Sequence, residues 1–140
     1  MGMVNASITI RNLDDTVKAR IGFIKEDKVR QITEEAVVDT SAATLVINEE
    51  LRQKLGLDIL DERPAMLANG QEEIVKIASD VQIQWKDRTF ALQPAVVSGG
   101  KEILLGAFPI EGMDLIVDPV RQELRGAHGD KIQYYLLKAS

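Results

Sequence analysis

Apolar residues alternate with polar ones along most of the chain, a spacing typical of half-buried strands. Strands are predicted at Val4 to Ile10, Val29 to Val38, Thr44 to Ile47, Val81 to Trp85, Phe90 to Val97, Ile103 to Leu105, Leu115 to Val117 and Ile132 to Leu137. Turns are predicted at Asn12 to Asp15, Asn69-Gly70 and Ser98 to Gly100, and a loop at Gly126 to Asp130. Many short strands at close spacing favour a mostly β, barrel-like domain.

One helix has clear ends in the sequence. Asn48 is a good N-cap and is followed by two glutamates, which suit the positive end of a helix dipole. Leu51 and Leu55 share a face at i, i+4, and Gly56 suits the left-handed position that ends a helix. A second short helical segment is predicted around Phe108 to Gly112, so the barrel should carry one or two short helices.

Length and composition restrict the functions that the chain can have. A chain of 140 residues fits a single domain, 1–140, and its 17 basic and 22 acidic residues give a net charge of −5, which argues against nucleic-acid binding. There is no cysteine and one histidine, His128, so thiolate chemistry, a multi-histidine metal site and a Ser-His-Asp triad lack their residues. No phosphate-binding glycine loop and no membrane-length apolar run occurs, so we expect no cofactor, no membrane partner and a cytoplasmic location.

A lone carboxylate stands out among the apolar runs. Ala36-Val37-Val38 leads into Asp39, which is followed by Thr40, Ser41 and Ala42 and then by a second apolar run. A carboxylate at the end of a buried strand is costly to ionise, so its presence there points to a function. Two other acidic residues near apolar runs, Asp114 and Asp118, lie beside Gly112 and Pro119 and are predicted to be surface turn positions.

These residues resemble the active-site loop of the retropepsin-like aspartic proteases of clan AA, bacterial type, with Asp-Thr-Ser in place of Asp-Thr-Gly. The resemblance covers about residues 29–120 and leaves 1–28 and the tail 121–140 without a predicted role. Its pieces occur in the order of the family: the loop, the helix and Leu-Gly-Leu after it, a hairpin at the place of the flap, and a hydrophobic-hydrophobic-Gly strand. The resemblance implies a retropepsin-like acid-protease barrel.

The resemblance also implies roles for single residues. Peptide hydrolysis by water needs two carboxyl groups, and this chain offers one in such a loop, so Asp39 from each copy of a homodimer would form the catalytic pair. Thr40 would bond across the pair to the partner's loop, or else satisfy a turn amide.

Two further segments have two interpretations each. Ala68, Asn69 and Gly70 would close over an extended polypeptide substrate as a flap, or form an ordinary hairpin turn. Leu105 and Gly106 would support the loop through a close backbone approach, although a glycine at a strand end is also compatible with a simple bulge.

Ser41 separates two functional hypotheses. A Cβ at this position would crowd the loop if the backbone needs a positive φ, whereas the serine hydroxyl would be able to donate a hydrogen bond to Asp39. The leading hypothesis is an aspartic endopeptidase that acts as a homodimer. The alternative is an inactive dimer of the same fold that serves as a peptide-binding or structural module.

Overall fold

A computed structural model describes residues 3–92 and 95–133, and strands dominate it. The strands are β1 (Asn5–Asn12), β2 (Gln31–Val38), β3 (Leu45–Ile47), β4 (Ile59–Met66), β5 (Glu72–Ala78), β6 (Val81–Trp85), β7 (Arg88–Leu92), β8 (Ala95–Val97), β9 (Leu104–Leu105), β10 (Leu115–Asp118) and β11 (Glu123–Gly126). The helices are α1 (Leu13–Arg20), α2 (Glu49–Leu55) and α3 (Ala107–Gly112), with a 3₁₀ turn at Glu26–Lys28. The predicted mostly β fold is confirmed.

Nine of the described strands form one curled sheet, a half-barrel. Its order is β4-β5-β8-β3-β9-β2-β1-β6-β7, and β10 pairs separately with β11. Two neighbouring pairs, β2 with β9 and β3 with β8, are parallel, whereas the other pairs of this sheet are antiparallel. The short β9 therefore lies between β2, which leads into the Asp39 loop, and β3, which leads out of it.

The alternation in β1 and β6 places one face of each strand in the core. Ile8 and Ile10 of β1 and Val81 and Ile83 of β6 are almost completely buried, while the residues between them are partly exposed. The burial of these side chains, at about 1.5–3 kcal/mol each, is the main force that fixes the register of the sheet.

Helix α2 forms as its caps predict. The Asn48 side chain accepts a hydrogen bond from the Leu51 amide at 2.9 Å, and Gly56 takes a left-handed conformation with φ of 65°. Leu51 and Leu55 face the core. The chain then enters β4, the edge strand of the sheet, where Pro64 is tolerated because an edge strand has one free side.

The turn predicted at Asn12 to Asp15 is wrong, because α1 begins at Leu13. Asn12 ends β1 and is the N-cap of the helix: its side-chain oxygen accepts from the Asp15 amide at 3.0 Å. Its amide group also donates to the Leu55 carbonyl at the end of α2, at 2.9 Å. Asn and Asp favour turns and helix N-caps for the same reason, so their presence alone did not distinguish the two.

The β4–β5 hairpin carries the predicted Asn69-Gly70 turn. Gly70 has a φ of 84°, and the Leu67 amide donates to the Gln71 carbonyl at 2.8 Å across the turn. Several apolar side chains of this hairpin face solvent, namely Leu60, Met66, Leu67 and Ile74.

The predicted surface position of Asp114 is wrong. Asp114 is 9% exposed; its carboxylate bonds His128 Nδ1 at 2.7 Å and accepts from the Gln133 amide at 2.9 Å. The hydrogen bond from His128 is the main cause that lowers the pKa of Asp114 below its ordinary value.

The loop predicted at 126–130 begins one residue later, because Gly126 ends β11, a strand that was not predicted. Of the last predicted strand, 134–137 lies outside the described residues.

Candidate active site

Asp39 is held at the end of β2 by the strand next to it. Its amide donates to the Leu105 carbonyl at 3.0 Å, and the Val38 amide before it donates to the Val4 carbonyl at 2.8 Å. These two bonds hold the end of β2 on both of its edges, one to β9 and the other to the residue before β1. The Asp39 side chain is therefore presented from a fixed backbone, and the residue remains partly exposed.

The side chain of Asp39 is oriented by Ser41. The Ser41 amide donates to Asp39 Oδ1 at 3.0 Å, and the Ser41 hydroxyl donates to the same oxygen at 2.5 Å. The loop is a tight turn, because the Ala42 amide donates to the Asp39 carbonyl at 3.1 Å. Backbone and side chain of one residue thus bind one carboxylate oxygen.

Ser41 adopts this position without backbone strain. The non-glycine residues with positive φ in the described part of the chain are Lys86, Asp114 and Gln122, and Ser41 is not one of them. A glycine is therefore not required at position 41 for conformational reasons. The residue is exposed, so its Cβ is not forced into the core either.

The start of α3 is hydrogen-bonded to the loop that follows Asp39. The Ala107 amide donates to the Ala42 carbonyl at 2.8 Å, and the Phe108 amide donates to the Ala43 carbonyl at 2.9 Å. Sequence reasoning did not identify these contacts, since backbone amides leave no residue-type signal. The small side chains of Ala42, Ala43 and Ala107 are the hint that backbones approach closely here.

Gly106 lies where this approach is closest. A Cβ on Gly106 would come within 2.5 Å of the Ala42 carbonyl oxygen and 2.7 Å of the Thr44 amide nitrogen, and closer still to the Thr44 carbonyl. These are backbone atoms that cannot rotate away. Its neighbour Leu105 is fully buried and pairs with both Val38 and Leu45, so it joins the two strands that flank the loop.

Thr40 and the hairpin tip occupy different surroundings. Thr40 is exposed at the surface of the loop. Ala68, Asn69 and Gly70 are exposed at the tip of the β4–β5 hairpin. In the sheet, β8, β3 and β9 lie between β5 of the hairpin and β2, which leads to Asp39. At ordinary strand spacing, β5 and β2 are therefore about 19 Å apart along the sheet. The structure thus brings Asp39, Ser41, Ala42, Leu105 and Gly106 into direct contact, whereas a flap role for the tip stays a prediction.

A metal site is not evident in the part of the chain that the structure describes. Over these residues, no three side chains of the His, Asp or Glu type come together in a way that would hold an ion. The chemistry that the loop itself offers is that of a carboxylate, which takes or gives a proton. Likewise, no helix in residues 3–92 and 95–133 has the length and apolar character needed to cross a membrane.

A protein family matches the part of the chain that contains the Asp39 loop. Residues 26–108, more than half of the chain, match the family described as "gag-polyprotein putative aspartyl protease". No curated protein sequence matches the chain.

Two solved structures share the fold. The retropepsin-like aspartic protease from Rickettsia conorii is 19% identical with a TM-score of 0.54, and the match covers 84% of this chain and 77% of that protein. The retroviral protease-like domain of Ddi1 from Leishmania major is 12% identical with a TM-score of 0.53, over 89% of this chain and 87% of that domain. Because the family match includes the Asp39 loop, β9 and Gly106, the chain belongs to the retropepsin-like family of aspartic proteases.

Proposed function

We propose that the protein is an aspartic endopeptidase that acts as a homodimer, with one Asp39 from each copy in a shared site. The single observation that carries this proposal is the Asp39 loop: a carboxylate fixed at a strand end, oriented by Ser41 and supported from behind by Gly106 and α3. Membership of an aspartic protease family supports the same chemistry.

The reaction needs two carboxyl groups that share one proton. One ionised carboxylate takes a proton from water, while the protonated one polarises the scissile carbonyl and later protonates the leaving amine. Two carboxyls at contact distance cannot both ionise, so one holds its proton under mildly acid conditions. We expect activity to rise toward mildly acid pH for this reason.

The second carboxyl is proposed to come from a second chain. The two buried aspartates of the described part are committed elsewhere: Asp15 pairs with Arg30, and Asp114 with His128. A two-fold axis that passes near the loop would bring the two Asp39 residues together, with exposed Thr40 at the contact. The substrate would be an extended polypeptide, whose backbone pairs with a strand edge. A cytoplasmic location stays a prediction from the composition.

The first test replaces Asp39 by Asn and follows cleavage of an unstructured protein at mildly acid pH. We expect cleavage to be lost with little change in melting temperature, because the side chain is partly exposed and contributes no core packing. Asp87→Asn is the matched control, since Asp87 is an exposed turn residue at the β6–β7 connection. This control should cleave like the parent.

The results separate the enzyme from the alternative module. An Asp39→Asn protein that cleaves as fast as the parent would show that Asp39 is not catalytic. A parent that forms a dimer but cleaves nothing from pH 3 to pH 8 would exclude the endopeptidase and favour a peptide-binding or structural role for the same fold.

A further inference from the structure

The Asp39 carboxylate is bound unequally at its two oxygens. Both donors from Ser41, the amide at 3.0 Å and the hydroxyl at 2.5 Å, reach Oδ1. A carboxylate oxygen offers two lone pairs, so Oδ1 can accept both of these bonds. Ser41 therefore holds the carboxylate through one of its two oxygens.

The second bond exists because position 41 carries a hydroxyl. The amide bond needs no side chain, since every residue except proline has an N–H at this point. The hydroxyl bond is short and is donated to an ionised group, the class of hydrogen bond that is about twice as strong as a neutral one. An alanine or glycine at position 41 would keep the first bond and lose the second.

We infer that Ser41 is a positioning residue, whose amide and hydroxyl hold the Asp39 carboxylate by Oδ1 and so fix its orientation in the proposed site. This inference rests on the proposed function for its catalytic consequence, but its geometric part does not. Ser41 itself touches neither substrate nor water in this role, and acts through Asp39. Its side chain is part of the site rather than the mark of a decayed one.

A geometric effect follows from two donors on one carboxylate oxygen. Together they restrict rotation of the carboxylate plane and fix which edge of it faces the loop. Ser41→Ala should remove the part of this restriction that the hydroxyl supplies, and Ser41→Thr should keep it, because threonine retains the hydroxyl.

The first experiment observes the Asp39 carboxylate directly at neutral pH and needs no activity. Asp is labelled with ¹³C at the carboxyl carbon, and Asp39→Asn identifies the signal. In Ser41→Ala, the loss of a hydrogen bond donated to the carboxylate should move the Asp39 signal away from its position in the parent. Ser41→Thr should keep the signal position of the parent, and so should Ser7→Ala, which removes an exposed serine hydroxyl from β1.

The second experiment measures cleavage at mildly acid pH by the parent, Ser41→Ala, Ser41→Thr, Ser7→Ala and a further variant, Ser41→Gly. We expect kcat of Ser41→Ala to fall about tenfold with little change in KM, because the reacting group is positioned less well while substrate binding is untouched. Ser41→Gly should behave like Ser41→Ala, since position 41 has no need of positive φ. Ser41→Thr should restore kcat, and Ser7→Ala should cleave like the parent.

The outcomes distinguish this inference from the proposed function. An unchanged Asp39 carboxyl signal in Ser41→Ala would overturn the role of Ser41, whatever the activities. A Ser41→Gly protein that cleaves faster than the parent would overturn it as well. If no protein cleaves but the Asp39 signal moves as expected, the endopeptidase proposal fails while the hydrogen-bond assignment stands.

Discussion

Gly106 gives the most specific structural prediction, because the backbone around it leaves no space for an added methyl group. The Cβ of Gly106→Ala would lie 2.5 Å from the Ala42 carbonyl oxygen and 2.7 Å from the Thr44 amide nitrogen, well inside van der Waals contact. The backbone at Gly106 has a φ of −92°, which alanine adopts freely. The cost is therefore steric alone.

The magnitude follows from what has to move. Since the crowding atoms are backbone, either β9 or the 39–44 loop must shift, and overpacking of this kind costs about 1–3 kcal/mol of the free energy of unfolding. The loop is also fastened to α3 through Ala42 and Ala43, so the shift would carry Asp39 and lower cleavage more than stability.

Urea unfolding of Gly106→Ala and Gly100→Ala checks this prediction. Gly100 is the matched control, because a Cβ there meets only the Ser98 hydroxyl at 3.5 Å, an ordinary contact. We expect Gly100→Ala to match or slightly exceed the parent, since alanine restricts the unfolded chain. Equal free energies of unfolding for the two variants would refute the close approach of β9 to the loop.

Further predictions concern the elements that frame the sheet. Asn12→Ala should lower the free energy of unfolding by about 2–4 kcal/mol, because it removes the α1 cap and leaves the Leu55 carbonyl unpaired; Asn5→Ala, at an exposed position of β1, should cost little in the same urea titration. The Arg30 side chain lowers the pKa of Asp15 below its ordinary value, so the ion pair stabilises the fold above about pH 4 and this contribution is lost as the pH falls through the folded-state pKa. Stability measured from pH 6 to pH 2 should therefore decline less steeply in Asp15→Asn than in the parent, and equal slopes would contradict the assignment. Gly70→Ala should destabilise the hairpin by about 1 kcal/mol, because φ is 84° there.

Local chemistry made part of this fold predictable. Helix α2 could be predicted to the residue, because Asn48 and Gly56 are strong caps that act within one turn of the chain. The β6 strand and the Asn69-Gly70 turn were predictable for the same reason, since alternation and a positive φ are local properties. The end of β2 at Asp39 could also be predicted from the apolar run before it.

What could not be predicted depends on contacts between distant residues. The Asn12 side chain reaches Leu55, and the Phe108 amide reaches Ala43; neither partner is visible in the local sequence. Asp114 was expected to be exposed because it lies near Gly112, but His128, in the chain that follows β11, bonds its carboxylate. The Ser41 hydroxyl was one of two possibilities from the sequence, and the φ at that position decides between them.

The central claim is that each catalytic site needs Asp39 from two chains, and a mixing experiment tests it most directly. Asp39→Asn protein is added to a fixed amount of parent, the chains are allowed to exchange, and cleavage per parent chain is measured. If the site is shared, chains that mix at random lose about half of their activity at an equal ratio, because a mixed dimer has one carboxyl. The matched addition of Asp87→Asn should leave the activity per chain unchanged. Cleavage per parent chain that stays constant through a large excess of Asp39→Asn, with mixed dimers demonstrated, would contradict the shared site.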